Sequence, residues 1–221
     1  GYWSDIITTR ITEQLDRQPA RPMNPIPTGQ SNFVGREAEI KQVKQLLQQN
    51  RAVTIVGLGG LGKSRLAMQA AAESVDLFAD GVCYISLAHL SSSEFLIYTI
   101  ADALGVSLVG SQSPKEQVLF FLSNKRLLLL LDNFEHLREE TFLLEEIVQR
   151  AGGVHLLITS RDHLVLPGVI TFDLVGLSYP TAEQSNAIEQ LSSVQLFVRC
   201  AQQVQADFTL AEDNRSSVSR I

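Results

Sequence analysis

Four glycines fall within six positions in the stretch "TIVGLGGLGKSRLA", residues 54 to 67, and Lys63-Ser64 follows at once. Ordering so many glycines is costly, because glycine loses more backbone freedom on folding than any other residue. A ligand that needs bare backbone close to it offsets that cost. Gly57 to Ser64 fits G-x-x-x-x-G-K-S/T, the phosphate-binding loop. Gly57, Gly59, Gly60 and Gly62, with Leu61 between them, let successive backbone N–H groups converge on an anion. Lys63 brings a point charge to β- and γ-phosphates, and Ser64 brings a hydroxyl for Mg²⁺. The helix that follows aims its positive end at the same phosphates. Gly-rich turns between strand and helix also occur without a ligand. The strand directly before and the helix directly after favour the phosphate reading.

Two further stretches carry chemistry. "LLLLLDNF" ends a buried apolar run on Asp132, at the strand tip where open α/β sheets bind ligands. Asp132 there can hold Mg²⁺ directly or through water; an Asp in a strand-to-helix turn can also serve only as a cap. The next residue, Asn133, cannot accept a proton, so a general base must come from elsewhere or be absent. Glu135 and His136 lie just beyond, as substitutes or as a solvated helix start. Slow turnover is expected. In "LLITSRD", Thr159, Ser160 and Arg161 stand at the tip of another strand. Arg161 can sense a γ-phosphate through a charge-assisted contact, or can be a surface residue paired with Asp162 or Glu135.

These groups need a frame. Apolar spacing predicts a helix over Glu37 to Gln49, a buried strand over Ala52 to Val56 and a helix over Lys63 to Ala72. A strand follows at Gly81 to Leu87, a helix ended by Gly105 and a helix from Pro114 to Asn124. Next come the Leu127 to Leu131 strand, a helix over Glu139 to Arg150, a strand at "VHLLIT" and an edge strand at "VITFDL". Strands apolar throughout and alternating with helices mean a parallel sheet covered on both faces. Ser192 to Gln205 and a broken piece after it read as helical with no strand between. The expected division is 1–32 as linker or wrapping segment, with four prolines in "RQPARPMNPIPTG". Residues 33–176 form the nucleotide-binding domain, and 177–221 begin a helical lid cut short.

Composition narrows the function classes. The chain has 221 residues, net charge −6, 45% hydrophobic and 19% charged residues. The acidity argues against a nucleic-acid surface on this stretch, which would want clustered Lys/Arg. Leu127 to Leu131, the longest apolar block, is far short of the roughly 20 residues that cross a bilayer. Two cysteines without close spacing, Cys83 and Cys200, read as core-side thiols in a reducing, cytoplasmic compartment. His89, His155 and His163 have no metal-ligand spacing. No initiator Met is present and the end "SSVSRI" reads as a helix start, so a piece of a longer protein is expected.

Together, "FVGREAEI", "GLGGLGKSRLA", "LLLLLDNFEHL" and "LLITSRDHLVLPG" resemble the STAND class of signal-transduction ATPases. Within it they are similar to the AP-ATPase/NB-ARC type found in bacterial regulators, over roughly Asn32 to Gln205. The resemblance implies a P-loop NTPase three-layer α/β sandwich with a mainly parallel sheet, followed by the start of a small helical domain. It implies Val34 and Arg36 against adenine and ribose, Lys63, Ser64 and Arg65 on the phosphates, Asp132 as the Walker-B residue and Arg161 as sensor. It further implies an ATP/ADP switch with Mg²⁺ that self-associates in the ATP state through the full-length protein. The alternative is a productive ATPase or phosphotransferase, such as an AAA+ type DNA-remodelling enzyme. Asn133 departs from the second acidic residue of many relatives, and the family's G-x-P motif would follow Ile221.

Overall fold

The computed structural model describes residues 24–27, 33–90, 92–165, 167–180 and 188–220. The expected linker 1–32 lies outside that set except for its residues 24–27. Five strands form one sheet: β1 (Ala52–Val56), β2 (Val82–Ser86), β3 (Leu128–Asp132), β4 (His155–Ser160) and β5 (Val169–Asp173). Their order is β2-β3-β4-β1-β5, and every neighbouring pair is parallel. The edge position read for "VITFDL" is where β5 lies.

Helices cover both faces. On one side pack α1 (Glu37–Gln49) and α2 (Lys63–Ala72). Their residues Val43, Leu47, Leu66 and Ala70 meet Val53, Ile55, Leu128, Leu130 and Leu157 of the strands. On the other lie α3 (Leu96–Leu104), α4 (Pro114–Ser123) and α5 (Thr141–Arg150). They bring Ile100, Leu119, Leu122, Leu144 and Ile147 onto Cys83, Ile85, Leu129, Leu131, Leu156 and Ile158. The run Leu127 to Leu131 is therefore apolar throughout because successive side chains enter opposite cores. All five leucines are fully buried, and burying each is worth about 1.5–3 kcal/mol.

Local signals end the elements where the chain predicts. Ser113 accepts a hydrogen bond from the Glu116 N–H at 3.2 Å, with Pro114 opening α4. Gly105 stops α3 in the left-handed conformation, φ 69°. Helix α5 starts later than Glu139 because a 3₁₀ turn, Arg138–Glu140, precedes it. The outer edge of β2 is covered: Tyr84 N–H donates to the Asn24 carbonyl at 2.9 Å, and Asn24 Nδ2 donates back to the Tyr84 carbonyl at 2.9 Å. That pairing blunts an edge that would otherwise offer unpaired backbone groups.

Beyond β5 the described chain is helical, with α6 (Ser192–Val204), α7 (Glu212–Val218) and a small core of Ile188, Val194 and Val218. Helix α6 touches the segment before α1. Arg199 Nη1 donates to the Phe33 carbonyl at 3.4 Å, and a Cβ on Gly35 would stand 2.7 Å from Ser192 Oγ. The two cysteines differ, which corrects the reading of both as core-side. Cys83 is buried, and burial pushes its thiol up to about 12. Cys200 is exposed, because α6 packs Val194, Phe197 and Val198 inward instead. Among the described residues no helix is long and apolar enough to cross a membrane.

Two stability tests follow from this packing. A Cβ on Gly153 would collide with the Lys125 carbonyl oxygen, so the backbone of one segment must move. Gly153→Ala is expected to lower unfolding free energy by about 1–3 kcal/mol, read from urea midpoints. His155, at the start of β4, sets Nδ1 3.1 Å from the Leu47 carbonyl and an edge against the Phe78 ring. Burial, reinforced by the charge of Arg51, holds its imidazole below the ordinary value of 6.5. The unfolded chain then takes up the proton first, so this contribution is lost as pH falls below about 6.5. His155→Gln is expected to flatten the decline in urea midpoint between about pH 7.5 and 5.5.

Candidate nucleotide site

Parallel register brings the three motifs to one edge of the sheet. Val56 stands opposite Ser160, Leu131 opposite Ile158 and Ser86 opposite Asp132. The loop after β1, Asp132 ending β3 and Arg161 just past β4 thus share the C-terminal edge of the sheet, where open α/β sheets bind ligands. A separate cleft of about 300 Å³, lined by Leu47, Phe78, Arg126 and His155 among others, lies at the opposite end of the strands.

Within the loop the glycines have different tasks. Gly60 and Gly62 adopt φ 81° and 87°, and a Cβ on either would meet nothing within 4 Å. They shape an open concavity, as an anion cradle needs. Gly57 is required for another reason: a Cβ there would sit 2.8 Å from the Leu174 carbonyl oxygen, where the chain leaves β5. Gly59 has open space around it and no unusual backbone.

Lys63, the first residue of α2, is 8% exposed. Its ammonium donates to the carbonyls of Gly57 at 2.7 Å and Leu58 at 3.0 Å. Burial pulls its pKa down; Glu135 and Asp132 oppose that, and Arg161 adds to it. An ammonium whose partners among the described residues are its own loop's carbonyls has much to gain from an anion in the cradle. Ser64, half-buried, follows on the first turn of α2. Arg65 Nε is buried with no hydrogen-bond partner among the described residues.

Asp132 is 5% exposed and held on both oxygens. Thr159 Oγ1 donates to Oδ1 at 2.5 Å, and the Tyr84 hydroxyl donates to Oδ2 at 3.3 Å. Burial, then the Asp132 charge, pushes the Tyr84 phenol up, so it stays protonated and donates. Thr159 Oγ1 also accepts from the Asn133 N–H at 3.0 Å. Asn133 takes a left-handed conformation, φ 66°, which turns the chain abruptly after Asp132 into the 3₁₀ turn Phe134–His136. A carboxylate oriented by two hydroxyls, with a serine hydroxyl across the loop, suits a Mg²⁺ that keeps waters and phosphate oxygens. Among the described residues no group of three or more His, Cys, Asp or Glu forms an all-protein metal cage.

Arg36 and Asn133 are the two non-glycine residues with positive φ among the described residues, and both flank this site. Arg36, φ 72° and 8% exposed, donates to Glu39 Oε1 at 2.9 Å and to the Leu61 carbonyl at 3.2 Å. It straps the segment before α1 onto the phosphate loop. Val34, two residues earlier, is buried. Arg161 Nε lies 3.0 Å from Glu135 Oε1; Arg161 is 64% exposed and Glu135 only 17%. A pair open to water on one side is worth about 1 kcal/mol or less. Asp162 pairs with Arg138 instead, and His136 is exposed.

Tyr84 and the orienting role of Thr159 were not legible in the chain. Tyr84 lies 48 positions from Asp132, and only the β2–β3 register connects them. Thr159 was readable as a strand-tip residue, with no signal for what it holds.

The NB-ARC domain model matches residues 36–174. A Mycobacterium tuberculosis protein named as an HTH-type transcriptional regulator is 34% identical over 180 residues, covering 81% of this chain and 19% of that protein. The chain therefore spans under a fifth of that relative's length. Among solved structures, the signal transduction ATPase with numerous domains (STAND) protein with a tetratricopeptide repeat sensor from Pyrococcus horikoshii superposes with TM-score 0.54. It is 16% identical and covers 92% of this chain and 29% of that one. A Walker-type ATPase of Pyrococcus abyssi gives TM-score 0.55 at 13% identity, covering 89% and 65%. Sequence and fold thus agree with the loop, carboxylate and arginine at one sheet edge: the chain belongs to the NB-ARC family, with a P-loop NTPase-like α/β fold.

Proposed function

We propose that this domain is an ATP/ADP-controlled switch within a longer cytoplasmic signalling or transcriptional regulator. In this reading ATP hydrolysis is slow and resets the switch rather than driving work. The observation that carries it is that the glycine loop after β1, Asp132 ending β3 and Arg161 just past β4 share one edge of the sheet, with Lys63 opening the helix behind the loop. Gly60 and Gly62 shape the cradle, and Lys63, Ser64 and Arg65 hold the phosphates. Arg36 and Val34 carry the chain over the base and ribose. Ser64 and Asp132 are the residues that would hold a Mg²⁺, which would supply charge stabilisation to the phosphate oxygens. Arg161 distinguishes ATP from ADP, because only ATP offers the third phosphate.

A switch needs an element that moves with the ligand. Helix α6 leans on Phe33 and Gly35, beside Arg36 and its strap to the loop. Nucleotide contacts on that segment would bias where the helical part sits, and self-association in the ATP state would follow through the full-length protein. DNA contact, as the HTH-type relative's name suggests, would fall to other parts of such a regulator. Asn133 weighs against the productive-ATPase reading, since the position beside Asp132 offers no proton acceptor.

The test is to denature the purified protein, identify released nucleotide by chromatography, and time ATP hydrolysis for wild type and Lys63→Ala. Near-stoichiometric ADP with turnover well below one per minute supports the switch; rapid turnover abolished in Lys63→Ala supports the enzyme. Lys63→Ala is expected to weaken ATP binding by about 10- to 100-fold, the worth of one charged hydrogen-bonding group. Thr159→Val leaves a buried carboxylate oxygen and the Asn133 N–H without their partner. It is expected to cost about 1–3 kcal/mol in urea unfolding and to raise the Mg²⁺ concentration needed for ATP binding.

A further inference from the structure

The 3₁₀ turn after β3 sorts its side chains sharply. Phe134 is fully buried in the core, His136 faces solvent, and Glu135 between them turns toward Arg161. One of its oxygens, Oε1, accepts from Arg161 Nε at 3.0 Å. The other, Oε2, is shielded from solvent and accepts nothing among the described residues. An acceptor left bare in that way is rare in folded proteins and marks a place where a ligand or water belongs. Glu135 is also the foremost acidic influence on the Lys63 ammonium, ahead of Asp132, while Arg161 acts on the same ammonium with opposite sign. All three charged groups thus act on the ammonium that opens the helix behind the glycine loop.

We propose that Glu135 is the general base for ATP hydrolysis, restrained by Arg161 until a γ-phosphate draws the guanidinium away. The inference rests on the nucleotide-switch reading above. With only ADP present, Arg161 stays on Oε1. A γ-phosphate offers Arg161 a more highly charged, multidentate partner than a single carboxylate oxygen, so the tether transfers. Water then lies between the γ-phosphorus and Oε2. Its oxygen bonds to the γ-phosphorus as the bond from that phosphorus to the β–γ bridging oxygen breaks. The electron pair leaves on the terminal oxygen of ADP, and the water proton goes to Glu135 Oε2. ADP and inorganic phosphate are the products, and the proton then returns to solvent. Arg161, engaged by the departing phosphate, recaptures Glu135 once phosphate leaves. Sensor and base are thereby one exchange of partners.

The test is single-turnover ATP hydrolysis by the 221-residue chain, with binding of fluorescent ATP and ADP analogues measured alongside. Glu135→Gln keeps the shape and an acceptor for Arg161 but cannot take the proton. It is expected to lower hydrolysis by about 100-fold or more while ADP affinity stays within about threefold of wild type. It should also tighten ATP relative to ADP, because a neutral amide competes for Arg161 more weakly than a carboxylate, and Arg161→Ala should erase that gain. His136→Ala is expected to hydrolyse as wild type does. If Glu135→Gln fails to fold, Glu135→Asp serves, with an expected loss of about tenfold from the shortened reach. Unchanged hydrolysis in a folded Glu135 variant, or loss in His136→Ala alone, overturns the proposal. Wild type that binds ATP yet never hydrolyses it overturns the proposal and leaves the switch standing. Wild type that binds no nucleotide sinks both.

Discussion

Everything at the nucleotide edge depends on strand register. Parallel strands present all their C-terminal ends on one side, and a shift of one residue would turn each side chain to the other face. Here Val56, Asp132 and Ser160 finish their strands together. That alignment lets a threonine of β4 clamp an aspartate of β3, and a tyrosine of β2 reach the same carboxylate. The register is secured by the leucine-rich strands, whose faces lock into two separate cores. Packing far from any ligand therefore sets hydrogen-bond geometry at the ligand.

Much of this was legible in the chain because the signals were local. The run of leucines, the glycine loop and the Gly105 stop each state their structure within a few residues. Strand and helix positions, the parallel sheet and the edge placement of "VITFDL" follow from them. Less legible were contacts whose partners meet only through tertiary structure. The bonds that the Arg36 guanidinium makes to Glu39 and the Leu61 carbonyl had no local signal. Glu135 and His136 were equal candidates on sequence; only burial separates them. Cys200 shares a helix with apolar residues and still faces out, because a helix of this size buries one stripe.

The glycine loop shows how one motif blends two requirements. Gly60 and Gly62 supply backbone conformations that open the cradle, while Gly57 makes room for the chain leaving β5. The last contact couples the loop to an edge strand that takes no part in the chemistry. Beside the cradle, Glu135 and Asp132 hold the Lys63 ammonium toward its charged form while burial and Arg161 pull the other way.

The pairing of Asn24 with the back of β2 bears on where this domain begins. The family match opens at Arg36, and the proline-rich run before it has the composition of a tether. Yet Asn24 exchanges three backbone-directed hydrogen bonds with β2 and α3, and Ile26 packs beside the α1–α2 core. A fragment trimmed to the matched boundary would leave the backbone of a hydrophobic strand bare, an invitation to pair with a neighbouring chain. In physical terms the folding unit starts earlier than the matched segment, and Asn24 caps the outer edge of the five-stranded sheet.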